Sequence, residues 1–168
     1  MLELLLLRHA KSDWSRPELG DHDRDLAPRG LKAARRMGRL LRKHRLAPDL
    51  VLCSTALRAQ RTWAIASAEL ERPPPRRDLR GLYLATPAEM LALVRRQQPG
   101  RLLLVGHDPG MHQLALQLAA TGEPEALASL RGKFPTAALA WLQLDIASWR
   151  EVGPGRLAGF FRPRRPDD

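Results

Sequence analysis

The chain has 168 residues, 44% of them apolar and 27% charged, which suits one domain with a substantial core. Its single cysteine, Cys53, excludes an internal disulfide and makes a reducing cytoplasm the expected compartment; no apolar run nears the roughly 20 residues that cross a bilayer, and no basic leader precedes the first apolar stretch. The formal charge of +10 is mostly arginine, along one helix and in the C-terminal tail, and aromatics are only 5% of the chain; this reads as a solvated face that attracts anionic substrates, not as a nucleic-acid surface.

Leu4 to Leu7 are too short for a useful helix and read as a strand buried on both faces, stopping at Arg8-His9. Residues 14–28, with Pro17, Gly20 and several acids, read as a loop over that strand end. From Pro28 to about Arg45 apolar residues recur at three- and four-residue steps, which predicts a helix with an arginine-rich outer face. Residues 49–53 predict a second strand, with Ser54-Thr55 capping a helix over about 56–71. A weaker strand is expected over 78–84. Thr86-Pro87-Ala88-Glu89 has the marks of a capping box opening a helix to about Gln98. Residues 101–105 predict a strand, followed by helices over 111–120 and 124–130. Residues 136–146 and 156–161 predict an antiparallel hairpin. The expectation is a three-layer α/β/α sandwich over residues 1–163, mostly parallel, with residues 164–168 a frayed tail.

Arg8 and His9 follow the first strand, Arg58 follows the second, and His107 follows the strand at 101–105. A doubly wound sheet brings such turns to one edge. Two guanidinium forks and two imidazoles there suit a phosphoryl group, and helix N-termini add backbone donors. Cys53 also precedes Arg58, but only four residues separate them and none is glycine, so a cysteine-phosphatase loop does not fit.

Leu-Leu-Arg8-His9-Ala10-Lys11, Ser54-Thr55-Ala56-Leu57-Arg58-Ala59-Gln60-Arg61-Thr62 and Val105-Gly106-His107-Asp108-Pro109-Gly110 resemble the three motifs of the histidine phosphatase (phosphoglycerate mutase-like) superfamily. Asp23-Arg24-Asp25-Leu26 with Arg29-Gly30, and Phe134-Pro135-Thr136-Ala137-Ala138, are similar to its compact SixA-type phosphohistidine phosphatase branch. The resemblance spans nearly the whole chain. It implies a phosphoglycerate mutase-like fold and a metal-independent, cofactor-free phosphatase, hydrolysing a phosphoric monoester or phosphoramidate. His9 would be the nucleophile, forming a phosphohistidine, while Arg8, Arg58 and His107 bind the phosphoryl oxygens. His9 would be neutral at its attacking nitrogen, whereas His107 suits a cation.

The sequence departs from that pattern in three places. Ala10 stands where the RHG motif has glycine, Ala27 stands at a helix cap, with Asp25 or water expected to serve the amides, and residues 82–85 supply no acid. Glu89, Asp13 and Asp108 are the candidate acids, Glu89 being accounted for also by its capping box. Ser12 is a candidate substrate contact or a loop hydroxyl. His22, His44 and His112 read as surface or packing residues, Trp14 as pocket mouth or packing, and Trp63, Trp141 and Trp149 as core or hairpin residues. Without a strong acid, an imidazole leaving group is favoured over an alkoxide. The implied substrate is then phosphohistidine on a signalling protein, and the implied enzyme a cytoplasmic monomer acting in signal transduction, with no membrane partner. The alternatives are a small-metabolite phosphatase or phosphomutase, and a non-catalytic module binding phosphate or nucleic acid.

Overall fold

A computed structural model describes residues 1–163; the frayed tail expected at residues 164–168 lies outside the described residues. Leu4, Leu5, Leu6 and Leu7 have no exposed surface in β1 (Leu2–Arg8). Successive strand side chains point to opposite faces, so Leu4 and Leu6 enter one apolar cluster and Leu5 and Leu7 the other. Burying each leucine contributes about 1.5–3 kcal/mol.

The other strands are β2 (Leu50–Ser54), β3 (Arg76–Leu79), β4 (Arg101–Gly106), β5 (Ala119–Gly122), β6 (Leu139–Leu144) and β7 (Gly155–Phe161). Their order across the sheet is β3-β2-β4-β1-β6-β7-β5. β1 runs parallel to β4, as β2 does to β4 and β3. β6 runs antiparallel to both β1 and β7, so the expected hairpin is present and β7 regains the direction of β1.

The helices are α1 (Pro28–Lys43), α2 (Leu57–Ser67), α3 (Pro87–Val94), α4 (Gly110–Leu118) and α5 (Pro124–Gly132). Met37 and Leu41 of α1 and Trp63 of α2 cover one face of the sheet. Met90 of α3, Leu114 of α4 and Leu130 of α5 cover the other, completing the three-layer sandwich. Thr86 and Glu89 form the reciprocal capping box that opens α3.

Several boundaries differ from those expected. The strand anticipated over 78–84 is β3 followed by a 3₁₀ turn at Arg80–Leu82. The helix anticipated over 111–120 ends at Leu118, and Ala119–Gly122 becomes an edge strand parallel to β7. α2 ends at Ser67 and α3 at Val94, both short of the sequence estimate. Asp25 does not cap α1: its carboxylate takes the Leu26 amide and Arg61, while Ala27 N–H donates to the Lys11 carbonyl. On α1, Arg35, Arg39 and Arg42 gather around Glu69 at 3.6–3.9 Å. Such exposed pairs add little stability.

Trp63 and Trp149 are buried, Trp141 donates to Glu3, and His44 packs on Phe161. His112 is tied to the Leu130 carbonyl.

α1 and α2 approach closely because Gly38 lacks a side chain; a Cβ there would sit 2.2 Å from the Ala66 carbonyl oxygen. Gly38→Ala should lower stability by about 1–3 kcal/mol although alanine is the better helix former, since overpacking outweighs propensity at such a crossing. Urea unfolding checks this, and an unchanged or raised midpoint would contradict it.

Candidate active site

Where β1 ends, the chain is held from both sides. Arg8 N–H donates to Ala138 O and His9 N–H to Gly106 O, while Ala137 N–H approaches the Arg8 and His9 carbonyls. Ala137 makes that approach with φ at 63°, a left-handed conformation uncommon for a residue with a Cβ. Ala10, in contrast, avoids the left-handed region, and its β-carbon is accommodated in the core. Its N–H donates to Thr62 Oγ1, whose hydroxyl donates to Arg58 O, so α2 holds the strand end and Arg58 together.

His9 is only 7% exposed. Its Nδ1 lies 2.7 Å from the Ala10 carbonyl oxygen. A carbonyl only accepts, so Nδ1 carries the hydrogen and Nε2 keeps its lone pair. Arg58 Nε–H points at that Nε2 from 3.4 Å. Arg58 Nη2 reaches His107 Nδ1 at 3.3 Å, which makes this nitrogen the acceptor, and His107 Nε2–H then donates to Ser54 Oγ at 2.7 Å. The two imidazole centroids are 5.1 Å apart. Arg8 Nη1 donates to Phe134 O at 2.8 Å and lies 3.4 Å from Asp108 Oδ2.

The three strand-to-helix turns therefore bring His9, Arg58 and His107 together, with Arg8 beside His9 in the chain. Residues 4–81 match the family described as the histidine phosphatase superfamily (branch 1). An uncharacterised Mycobacterium tuberculosis protein is 39% identical over 165 residues, 94% of this chain and 100% of the relative. The structure from Nakamurella multipartitia assigned as phosphohistidine phosphatase SixA is 30% identical, with a TM-score of 0.83 over 96% of both chains. That from Agrobacterium tumefaciens, assigned likewise, is 30% identical with a TM-score of 0.81, over 96% of this chain and 98% of the other.

The chain belongs to the histidine phosphatase superfamily. Within it, the full-length likeness is to the SixA-type branch. Among the described residues of this histidine phosphatase, no helix is long and apolar enough to cross a membrane. Nor does any group of three or more His, Cys, Asp and Glu among them come together as metal ligands.

The candidate acids of this histidine phosphatase are engaged elsewhere. Asp108 pairs with Arg8 and accepts the His112 amide. Glu89 accepts the Thr86 amide in its capping box. Asp13 accepts the Ser15 amide. Ser12 is buried and bridges to Leu26, fastening the loop to the strand end. Cys53 is fully buried, and burial pushes its thiol up to about 12, which removes any thiolate at neutral pH.

Two residues that sequence patterns do not single out, Asp21 and Tyr83, stand beside Arg58. Asp21 Oδ2 accepts from Arg58 Nη2 at 2.9 Å and from the Tyr83 hydroxyl at 2.5 Å, and its main-chain oxygen accepts Arg58 Nη1 at 2.6 Å. His22, expected at the surface or in packing, bonds Thr55 Oγ1 at 2.8 Å and meets the edge of Tyr83. Thr55 thus serves His22 instead of the α2 cap, while Ser54 serves both the Ala56 amide and His107. Trp14 is 62% exposed, with the Arg24 guanidinium 3.8 Å from its ring centroid.

Burial, reinforced by Arg58 and Arg8, pushes His9 down to about 4 against the pull of the Ala10 carbonyl. Burial together with His9 and Arg58 pushes His107 down to about 3. Both rings are therefore neutral at neutral pH, and the expectation of a cationic His107 is corrected for the site without a bound anion. Neutrality fits the Nδ1 lone pair that faces Arg58.

The unfolded chain protonates both histidines below about pH 6.5, whereas the folded site resists until about pH 4 and 3. The unfolded state then binds more protons in this window, so stability falls as pH falls through it. Each ring adds up to about 1.4 kcal/mol per pH unit to that slope. His107→Gln should flatten the dependence around pH 5 by up to that amount in denaturant titrations, and an unchanged slope would contradict neutral burial.

Proposed function

We propose that this enzyme removes the phosphoryl group of phosphohistidine on a signalling protein through a covalent phospho-His9 intermediate. One observation carries the reading: a neutral His9, its Nε2 lone pair directed at Arg58 within a setting of two arginines and a second histidine. Nε2 attacks phosphorus in line as the leaving group departs, and water then hydrolyses the phosphoenzyme. One hard displacement thereby becomes two easier ones.

Arg8, Arg58 and His107 face the equatorial oxygens, where fixed positive charge contributes most to phosphoryl transfer. A dianion favours the charged imidazole, so His107 takes up a proton as phosphate binds and becomes a donor to it. We place this chemistry in a cytoplasmic monomer, without a metal.

The phosphoramidate reading draws support from the acids. Asp108, Glu89 and Asp13 are held by other partners, so none of these three candidate acids stands ready to protonate an alkoxide. Imidazole leaves without such help.

Incubating wild type with phosphorus-labelled phosphoramidate and quenching in alkali should trap acid-labile label, with free phosphate as the product. His9→Ala should trap none and lose on the order of a thousandfold or more in turnover. If both proteins bind phosphate equally and neither turns over, the chain is a binding module instead.

A further inference from the structure

The rim of the site carries a negative charge that phosphate binding by itself does not call for. Asp21 opens the 3₁₀ turn Asp21–Asp23, and its carboxylate lies against Arg58 Nη2 and the Tyr83 hydroxyl through Oδ2, with Arg24 Nε 3.8 Å from Oδ1. Burial works to raise the Asp21 carboxyl, but the bonds from Tyr83 and Arg58, with the charges of Arg58 and Arg24, prevail and hold it below its ordinary value. The bond to Asp21 in turn pushes the Tyr83 phenol up, so the phenol keeps its proton and remains the donor.

The turn is fixed in place. His22 bonds Thr55 at the start of the Arg58 motif, at 2.8 Å. Tyr83 presents a ring edge to His22 at 4.9 Å and to His107 at 5.4 Å. Asp21 is thus a built element of the wall and not a loop acid that happens to pass by.

Position then says what it can read. Resting on the phospho-His9 reading above, in-line attack puts the leaving group on the far side of phosphorus from His9. His9 lies at the floor, 7% exposed, and the Asp21 side chain lies at the rim, 44% exposed. A departing group moves from floor to rim and passes the carboxylate.

We propose that Asp21, oriented by Tyr83 and Arg58, selects the leaving group: it favours a phosphorylated nitrogen base carrying positive charge and disfavours a phosphate ester whose leaving group bears a carboxylate. With phosphohistidine, the P–N bond breaks and its electron pair returns to the ring nitrogen. The phosphorus passes to His9 Nε2, and imidazole departs with the proton already on its other nitrogen. Asp21 gives up no proton in this step. It stabilises the substrate's ring N–H⁺ and repels a carboxylate through charge across a partly exposed rim. Asp21 also braces Arg58, and a purely bracing role would affect all substrates alike.

The test compares kcat/KM for a phosphohistidine peptide with blocked termini, glycerol phosphate and 3-phosphoglycerate at low salt in wild type, Asp21→Asn, Asp21→Glu, Tyr83→Phe and His9→Ala. Asp21→Asn should shift the ratio of phosphohistidine to 3-phosphoglycerate by about tenfold toward the acid, with glycerol phosphate between them, and added salt should narrow the wild-type preference. Asp21→Glu and Tyr83→Phe keep the charge and should keep most of the ratio. If Asp21→Asn lowers all three substrates by one common factor, Asp21 is a brace for Arg58 and the selection role is overturned. If wild type turns over none of them, or His9→Ala matches wild type, the phospho-His9 reading itself has failed.

Discussion

An imidazole can attack phosphorus only through a nitrogen that holds a lone pair, and in His9 the choice of nitrogen falls to one neighbouring carbonyl. The Ala10 oxygen, 2.7 Å from Nδ1, fixes the hydrogen there and leaves Nε2 bare toward Arg58. That carbonyl is itself anchored, because Ala10 N–H is bound to Thr62 and Thr62 to the first turn of α2. The residue that orients the nucleophile's neighbour thus also positions the guanidinium that would receive the phosphate. A small displacement of α2 would disturb both at once.

The electrostatics follow from packing more than from the count of charges. Four leucines seal β1 into the sheet and carry His9 into a setting where its protonation is disfavoured. His107 is neutral for the same reason, with Arg58 and His9 adding to it. Two arginines, two neutral imidazoles and the acids Asp21 and Asp108 form a site whose cationic character is held in check until an anion arrives. Binding a dianion then draws a proton to His107, so the site gains charge where it is needed. The wider +10 of the chain plays a looser part, its exposed arginines on α1 attracting anions at a distance.

Much of this could be read from the chain before any coordinates. Leu4 to Leu7 announce a strand covered on both faces, and Thr86 with Glu89 announce a helix start, because those signals are local. The meeting of Arg8, His9, Arg58 and His107 follows from a topological rule about strand ends. Asp21 could not be found this way. It is one of several acids in a polar loop, and only its bonds to Arg58 and Tyr83, remote in sequence, turn it inward. β5 was hidden because Ala-Ala-Thr-Gly has no pattern of its own; it becomes a strand by pairing with β7. The neutrality of His107 depends on burial, a property of the assembled core.

The tautomer and charge of His9 are the most direct test of the account. Nitrogen-15 correlation spectra of the histidine side chains, recorded on the free protein at about pH 6 with His9→Gln for assignment, should show His9 neutral, protonated at Nδ1 and bare at Nε2. A cationic ring, or a hydrogen on Nε2, would contradict it, because the nitrogen facing Arg58 would then have no lone pair to offer phosphorus.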